Sequence, residues 1–274
     1  MNRALLVGIN NYPAPNQLHG CVNDVNDMAH FLVSNCGFKS QEIRLLVDKR
    51  ATAHNILTRL GWLLNGLKKG DRIVFHYSGH GAQVASRNPQ GEADRLDEVI
   101  CPVDFNFDDR NTMIRDKDFV RLFGNVPDGV EFIWISDSCF SGGLSKKFID
   151  MPKNVKDVQR KTFELPADIL WRNKAAKDSN KMPLTMKGAA KELGVALISG
   201  CTEEQESADA SIDGKFNGAL TYYLLKTLQS GNGLKMHLND LIKDVVEVIK
   251  QNKFDQTPEL LGSKTIAKHS FLEA

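Results

Sequence analysis

Short apolar runs alternate along the chain with segments whose apolar residues recur every three or four positions. The runs typical of buried strands are residues 3–9, 42–47, 71–77, 131–136 and 194–199. The segments with helical spacing are residues 21–34, 52–67, 216–228 and 238–249. A short sixth strand is predicted near residues 269–272. This alternation predicts an α/β fold with a mostly parallel central sheet of about six strands and helices on both faces.

Two of the predicted strands end in turns that are rich in glycine, serine and reactive side chains. His80 follows the third strand in a Ser-Gly-His-Gly turn, and Cys139 follows the fourth in Asp-Ser-Cys-Phe-Ser-Gly-Gly. Because ligands bind at the carboxyl ends of the strands in such sheets, we expect the two side chains to meet there. A cysteine attacks a carbonyl as its thiolate, and histidine is the usual neighbouring base. The backbone N–H groups of Gly79 and Cys139 are predicted to form an oxyanion hole.

The other cysteines and histidines favour structural roles. Cys36, Cys101 and Cys201 are predicted to be small core residues, and His76 lies inside the third strand. Five cysteines without a CxxC pair indicate neither a zinc site nor a disulfide scaffold, so we expect a reduced, cytoplasmic setting. The sequence has no apolar run of about 18 residues, so we also expect no membrane span.

Composition and charge set one segment apart from the rest. The 274 residues are 42% hydrophobic with a net charge of +1, and we expect one domain over residues 1–274. Residues 144–191, however, contain 12 Lys or Arg against 5 Asp or Glu. We predict that residues 145–191 form a basic, mobile insertion between the fourth and fifth strands. A basic docking face for an acidic partner or nucleic acid is the alternative, but few aromatic residues are interleaved, so we expect no nucleic acid.

The two reactive turns resemble the signature blocks of a known family. HYSGHG at residues 76–81 and DSCFSGG at residues 137–143 are similar to those of the caspase–metacaspase superfamily of C14-type peptidases, and closest to bacterial metacaspases. Further similar blocks lie at residues 6–12, 18–28, 97–104, 198–209 and 256–262. The resemblance therefore covers the chain apart from the basic insertion. It implies a caspase-hemoglobinase fold and a cysteine endopeptidase, with His80 as general base or acid and Cys139 as nucleophile.

The resemblance also implies a narrow, acidic S1 pocket. It places this pocket on Asp24 and Asp137, with Cys21 and Ser78 lining it. Two carboxylates would pair with a guanidinium or ammonium group and repel an acidic side chain, which predicts cleavage after Arg or Lys. The alternatives are that Asp24 caps the helix that begins nearby and that Asp137 holds its turn through backbone hydrogen bonds.

Many metacaspases need calcium, and the resemblance suggests where its ligands would lie. The weak candidates are Asp94, Asp97, Glu98 and Asp116. Lys117 stands where one carboxylate of a ligand pair is expected, and residues 144–147 contain no acid. Calcium prefers several oxygen ligands, so we expect it to bind weakly or not at all and predict that no cofactor is required. The alternative to a metal site, at least as well supported, is that the acidic residues form a solvated loop.

A basic insertion beside a protease that cuts after Lys or Arg is a target for cleavage. Members of the resembled family often mature in this way, so we predict a zymogen in which residues 145–191 gate the active site and are cut. The candidate processing sites are Lys146, Lys147, Arg160, Lys161, Arg172 and Lys174. The first two could reach the acidic pocket as a pseudo-substrate, and the others are predicted to be exposed to a second molecule or an upstream protease.

The sequence therefore predicts a monomeric cysteine endopeptidase that acts on protein substrates with exposed Arg or Lys. One alternative is a caspase-like scaffold or interaction protein with little activity, but the presence of both His80 and Cys139 argues against it. A more distant alternative is an α/β hydrolase with a cysteine nucleophile. That fold requires a Gly-x-Cys-x-Gly turn, which the residues around Cys139 do not supply.

Overall fold

The computed structural model describes residues 1–85, 96–139, 152–163, 165–168, 171, 194–202, 205–263 and 265–272. Its helices are α1 (Cys21–Asn35), α2 (Ala53–Leu64), α3 (Asp116–Phe123), α4 (Ala219–Gln229) and α5 (Leu238–Gln251). Its first six strands are β1 (Asn2–Gly8), β2 (Ile43–Val47), β3 (Arg72–Ser78), β4 (Gly81–Ala85), β5 (Leu96–Ile100) and β6 (Ile114–Arg115). The remaining strands are β7 (Glu131–Asp137), β8 (Val155–Arg160), β9 (Ala196–Ser199), β10 (Ala208–Ile212), β11 (Lys215–Gly218) and β12 (Glu259–Leu261).

Six strands form the central sheet in the order β12-β9-β7-β3-β1-β2. Every neighbouring pair is parallel except β12 and β9, which are antiparallel. The central strands β3 and β7 are buried along almost their whole length, which explains why they read as continuous apolar runs. The predicted α/β fold with a mostly parallel six-stranded sheet is confirmed.

Helices cover both faces of the sheet, as predicted. Successive side chains of a strand point to opposite faces, so Leu5 belongs to one hydrophobic core and Leu6 to the other. Helices α2 and α3 pack in the first core, and α1, α4 and α5 pack in the second. Thr52 caps α2 by accepting the Asn55 N–H at 3.3 Å. No helix in the described ranges is long and apolar enough to cross a membrane.

One predicted strand is wrong, and one predicted helix begins later than expected. The sixth strand is β12, whereas residues 269–272 form a turn in which Phe271 fills the core against Phe31 at 6.0 Å between ring centroids. Only Ser270 of these residues makes a β-bridge, with His237, so their apolar character reflects core packing more than strand pairing. The helix predicted over residues 216–228 begins only at Ala219, because Gly218 is extended and ends strand β11.

Two small antiparallel sheets flank the central one, in the orders β4-β5-β6 and β11-β10-β8. Strand β8 lies inside the segment that we predicted to be a mobile insertion, and it pairs antiparallel with β10. Only Val155 of β8 is fully buried, so the strand lacks the apolar alternation that would have predicted it. The expectation of an unstructured insertion is therefore wrong for residues 155–160. Much of residues 145–191 lies outside the described ranges.

Candidate active site

The two predicted catalytic residues lie at one edge of the central sheet. Strands β3 and β7 are parallel neighbours, and Ser78 pairs with Asp137 at their last positions. His80 and Cys139 each follow two residues later, which places both turns at the carboxyl edge. Both side chains are almost fully buried. The carbonyl of Lys161 lies between these turns, because it accepts a hydrogen bond from the Cys139 N–H at 3.3 Å and adjoins the His80 ring.

His80 is oriented by a backbone carbonyl. Its Nε2 lies 2.7 Å from the Asn16 carbonyl oxygen, which can only accept, so Nε2 carries the proton and Nδ1 has a free lone pair. The ring is held between Tyr12 and Phe163, with centroids 4.6 Å and 4.7 Å away. Burial lowers the pKa of His80 to about 4, although the Asn16 and Lys161 carbonyls favour the protonated ring. The imidazole is therefore neutral at physiological pH and can accept a proton at Nδ1.

Cys139 points toward the segment that leads into β10. Its Sγ accepts the Ser207 N–H in a short contact and lies 3.6 Å from the Ser207 carbonyl oxygen. Burial raises the pKa of the Cys139 thiol, and hydrogen bonding with the neighbouring Cys201 side chain raises it further. The Ser207 N–H lowers this pKa but does not outweigh burial. The sulfur is therefore a protonated thiol in this arrangement, and it must be exposed or rearranged before it can attack.

The predicted S1 residues surround a basic side chain of the chain itself. The Nζ of Lys161 lies 2.9 Å from Ser78 Oγ, 3.1 Å from Asp137 Oδ1 and 3.4 Å from Asp24 Oδ2. All four side chains are fully buried. A side chain at Gly218 would collide with this ammonium group and with both carboxylates. The pocket therefore has the charge, depth and width for one unbranched basic side chain.

Asp24 is built into the wall of the pocket. Its carboxylate accepts hydrogen bonds from the Gly218 N–H at 2.9 Å and from Asn217 Nδ2 at 3.0 Å. Helix α1 begins after Gly20 and has no side-chain cap, so the alternative that Asp24 caps this helix is wrong. Burial raises the pKa of Asp24 to about 7, Lys161 opposes the rise, and the adjacent carboxylate adds to it.

The pKa of Asp137, in contrast to that of Asp24, is lowered. It accepts hydrogen bonds from the Thr221 N–H at 2.9 Å and from Ser207 Oγ at 2.7 Å. Burial would raise the pKa of Asp137, but Lys161 and the Thr221 N–H lower it by more, so this carboxyl is ionised. The backbone that the Asp137 carboxylate holds is the first turn of α4, and no hydrogen bond among the described residues joins this carboxylate to the backbone of its own turn.

Cys21 and a carboxylate that sequence reasoning did not single out complete the surroundings. Cys21 is buried, and the positive charge of Lys161 lowers its pKa, although burial raises it by more. Asp209 on β10 accepts the His19 N–H at 2.6 Å and the Gly20 N–H at 2.9 Å, just before α1 begins. Asp209 therefore fixes the start of the helix that carries Asp24. Its only sequence signal was its place in the block at residues 198–209.

Backbone hydrogen bonds hold Lys161 between the two turns and the segment that leads into β10. Its N–H donates to the Ser207 carbonyl at 3.0 Å, and its carbonyl accepts from the N–H groups of Cys139 at 3.3 Å and Gly81 at 3.1 Å. The prediction that Gly79 supplies the second oxyanion donor is not supported, because its N–H points to the Asp137 carbonyl at 3.5 Å. The turn brings Gly81, one residue beyond the histidine, to the position predicted for Gly79.

The predicted processing sites fall into two groups. Arg160 and Lys161 are described, whereas Lys146, Lys147, Arg172 and Lys174 lie outside the described residues. Lys161 was expected to be exposed, and this expectation is wrong because two buried carboxylates and a hydroxyl enclose its ammonium. The side chain of Arg160 points the other way and is 40% exposed.

The acidic residues considered for calcium lie in another region. Of the four weak candidates, the structure describes Asp97, Glu98 and Asp116 and not Asp94. The Lys117 Nζ lies 2.8 Å from Asp97, whose side chain is 1% exposed, and Arg115 lies 3.6 Å from the other oxygen. No group of three or more His, Cys, Asp or Glu in the described ranges is arranged to hold a metal. Two cations at the deepest carboxylate make the described residues a poor fit for calcium.

A mostly parallel sheet with a histidine and a cysteine at the ends of adjacent strands is the architecture of caspase-like cysteine peptidases. A family model for the metacaspase, peptidase C14 domain matches residues 2–151. Metacaspase-1 of Scheffersomyces stipitis is 29% identical over 94% of this chain and 70% of its own length. Metacaspase-3 of Trypanosoma brucei brucei is 31% identical over 96% of this chain and 71% of its own length. The chain belongs to the metacaspase family, whose members are cysteine peptidases.

A solved structure supports the same conclusion about the fold. The crystal structure of a Geobacter sulfurreducens protein superposes with a TM-score of 0.68 at 27% sequence identity. The match covers 99% of this chain and 98% of that one. The fold shared with that protein therefore includes described residues beyond the matched range 2–151.

Proposed function

We propose that this chain is an endopeptidase that cleaves after Lys or Arg and is made as a precursor restrained by its own Lys161. The observation that carries the proposal is the position of Lys161. Its ammonium lies between Asp24 and Asp137, while its carbonyl faces the N–H groups of Cys139 and Gly81. A segment that satisfies the specificity pocket and the oxyanion donors together is placed as a substrate.

The geometry supports a two-step acyl transfer. The Cys139 sulfur, once its proton has passed to His80 Nδ1, attacks the carbonyl carbon of a Lys or Arg residue. The N–H groups of Cys139 and Gly81 stabilise the oxyanion, and His80 returns the proton to the leaving amine. Water then hydrolyses the thioester with His80 as base. Asn16 keeps the imidazole in the tautomer that this sequence of proton transfers requires.

The burial of Lys161 supports a first cut within the same molecule. A second protease would have to extract a fully buried ammonium ion from two carboxylates before reaching the bond to Thr162. The Cys139 N–H already donates to the Lys161 carbonyl at 3.3 Å, so the nucleophile of the same molecule lies next to this peptide group. This proposal favours self-cleavage after Lys161 over cutting by a second molecule or by an upstream protease. The strand β8 segment must then leave before protein substrates can enter.

The same proposal assigns no role to calcium. Asp97 is already neutralised by Lys117 and Arg115, so a divalent ion would have to displace two tethered cations. Among the described residues of the site, no contact favours the alternative of a scaffold with little activity.

The purified chain and its Cys139→Ala variant test the proposal. Incubation should yield two fragments whose mass places the break after Lys161, and the variant should stay whole. Lys161→Arg should still be cut and Lys161→Glu should not, because the pocket repels a carboxylate. Fluorogenic peptides ending in Arg or Lys should then be hydrolysed and those ending in Asp ignored. Hydrolysis after Asp, or hydrolysis by Cys139→Ala, would overturn the proposed function.

A further inference from the structure

We propose that Glu206 forms an S2 subsite that selects Arg or Lys immediately before the residue at which the enzyme cuts. Its preferred substrates would then be dibasic segments. This inference rests on the proposed function, because it takes Lys161 as the residue in S1 and Arg160 as the preceding one. The motivating contact is an ion pair in which Arg160 Nε lies 2.9 Å from Glu206 Oε2.

The two partners of this ion pair differ sharply in burial. The Glu206 side chain is 2% exposed, whereas that of Arg160 is 40% exposed. The carboxylate therefore belongs to the body of the protein, and the guanidinium approaches it from the solvent side on the segment that self-cleavage would release. When that segment leaves, the ion pair is lost and the carboxylate is uncovered on the side from which Arg160 approached it. An incoming peptide that supplies a cation at the same position recovers this interaction.

The backbone fixes Glu206 at the right distance from the scissile bond. Glu206 directly precedes Ser207, whose carbonyl accepts the Lys161 N–H at 3.0 Å and whose N–H contacts the Cys139 sulfur. The charge of Glu206 is close enough to raise the pKa of that thiol, although burial and Cys201 raise it by more. The backbone at Glu206 therefore cannot shift relative to the nucleophile without disturbing the contact between Ser207 and the Lys161 backbone.

The strand register explains why two basic side chains find two different acidic sites. Strand β8 runs antiparallel to β10, with Arg160 opposite Ala208. Successive side chains of an extended segment point in opposite directions, so Lys161 enters the S1 pocket while Arg160 turns toward Glu206. A substrate that replaces β8 by adding a strand to β10 would present its own residues in the same alternation.

Matched peptides separate this inference from the proposed function. Fluorogenic tetrapeptides with Arg at P1 and Arg, Gln or Glu at P2 are compared by kcat/KM on the purified, incubated enzyme. We expect Arg at P2 to exceed Gln by about tenfold, which corresponds to ~1.4 kcal/mol, and Glu to be worst. In Glu206→Gln the three should converge, whereas the exposed control Glu247→Gln should keep the wild-type order.

The outcomes are distinct. Cleavage after Arg with no preference at P2, or a preference that survives in Glu206→Gln, would overturn the S2 subsite and leave the proposed function intact. No cleavage after Arg or Lys with any P2 residue would overturn the proposed function itself. Thermal unfolding of each variant shows whether a loss of rate reflects a loss of folding.

Self-cleavage gives a second measurement that does not need a peptide. Arg160→Gln should slow the cut after Lys161 severalfold, and its exposed side chain makes this variant safe for folding. Glu206→Gln should slow the cut by a similar factor. The double variant should be no slower than either single variant, because each of the three lacks the same ion pair between Arg160 and Glu206. Additive slowing in the double variant would show that the two residues act separately and would overturn the inference.

Discussion

Two regions of this molecule place a lysine against buried carboxylates, and they differ in how that lysine is tethered. In the proposed S1 pocket, Lys161 meets Asp24 and Asp137 and follows an edge strand with a single buried residue. At the other site, Lys117 meets Asp97 from the first turn of α3, whose phenylalanines are embedded in the core. The chemistry of the contact is the same in both.

Because the two lysines are anchored differently, Lys161 can be removed from its carboxylates and Lys117 cannot. Helix α3 cannot leave without unpacking the core, so Lys117 stays with Asp97. The segment that carries Lys161 is held by β10 on one side and by its ammonium group in the pocket. Cutting the chain after Lys161 would free one end of this segment and allow it to detach. A lysine on a cleavable edge strand can therefore act as a switch, whereas a lysine on a packed helix acts as a fixed counter-ion.

The largest expected effect comes from removing the catalytic groups on which the switch depends. Cys139→Ala and His80→Ala should each reduce both self-cleavage and peptide hydrolysis by several orders of magnitude, because the nucleophile and its base act as a unit. Circular dichroism should show an unchanged fold. Cys36→Ser, which alters a buried thiol at the far end of α1, is the control and should keep activity. Near-normal turnover by Cys139→Ala would refute the mechanism.

The next effect compares the two lysines directly. In a Cys139→Ala background, which keeps the chain whole, Lys161→Met should lower the free energy of unfolding by about 3–5 kcal/mol, because a buried ion pair loses one partner. Lys117→Met should cost no more than about 1 kcal/mol, since that side chain is 34% exposed and Arg115 remains beside Asp97. Urea unfolding measures both. Equal losses would mean that Lys161 is not held more tightly than an ordinary surface lysine.

A smaller effect is a pH dependence of substrate affinity. Burial raises the pKa of Asp24 to about 7 in the uncut chain, although the charge of Lys161 lowers it. A protonated Asp24 pairs poorly with a basic side chain, so KM for Lys peptides should fall as the pH rises through and above 7. His80, with a pKa near 4, does not titrate in this range.

Two variants test whether the pH dependence of KM arises in the acidic pocket. Asp24→Asn should have a higher KM that no longer changes with pH, because its side chain cannot ionise. Asp27→Asn, three residues along the same helix and paired with Lys215 at the surface, should keep the wild-type profile. A pH step that persists in Asp24→Asn, or one confined to kcat, would assign the titration to another group such as the Cys139 thiol.

The comparison of these regions also shows what the sequence can and cannot predict. His80 and Cys139 were predictable because each follows a run of apolar residues, and that local pattern places both at the strand ends. The role proposed for Lys161 was not, because nothing in the sequence singles it out among the six candidate processing sites and only the pairing of β8 with β10 does so. Gly81 was missed for a similar reason, since either glycine beside His80 permits the turn and only its final geometry aims one amide at the substrate.

The smallest expected effect is that of calcium on activity. Chelation should change the rate of self-cleavage by less than about twofold, and millimolar calcium should raise it by less than tenfold, a bound of ~1.4 kcal/mol of coupling. The reason is that Lys117 and Arg115 already neutralise Asp97, so calcium gains little from binding there. Lys117→Ala sharpens the test, because it removes the nearer cation while leaving S1 untouched. If calcium then activates the variant and not the wild type, Lys117 takes the place of the metal, whereas strong activation of the wild type would show that other oxygen ligands complete a site despite these cations.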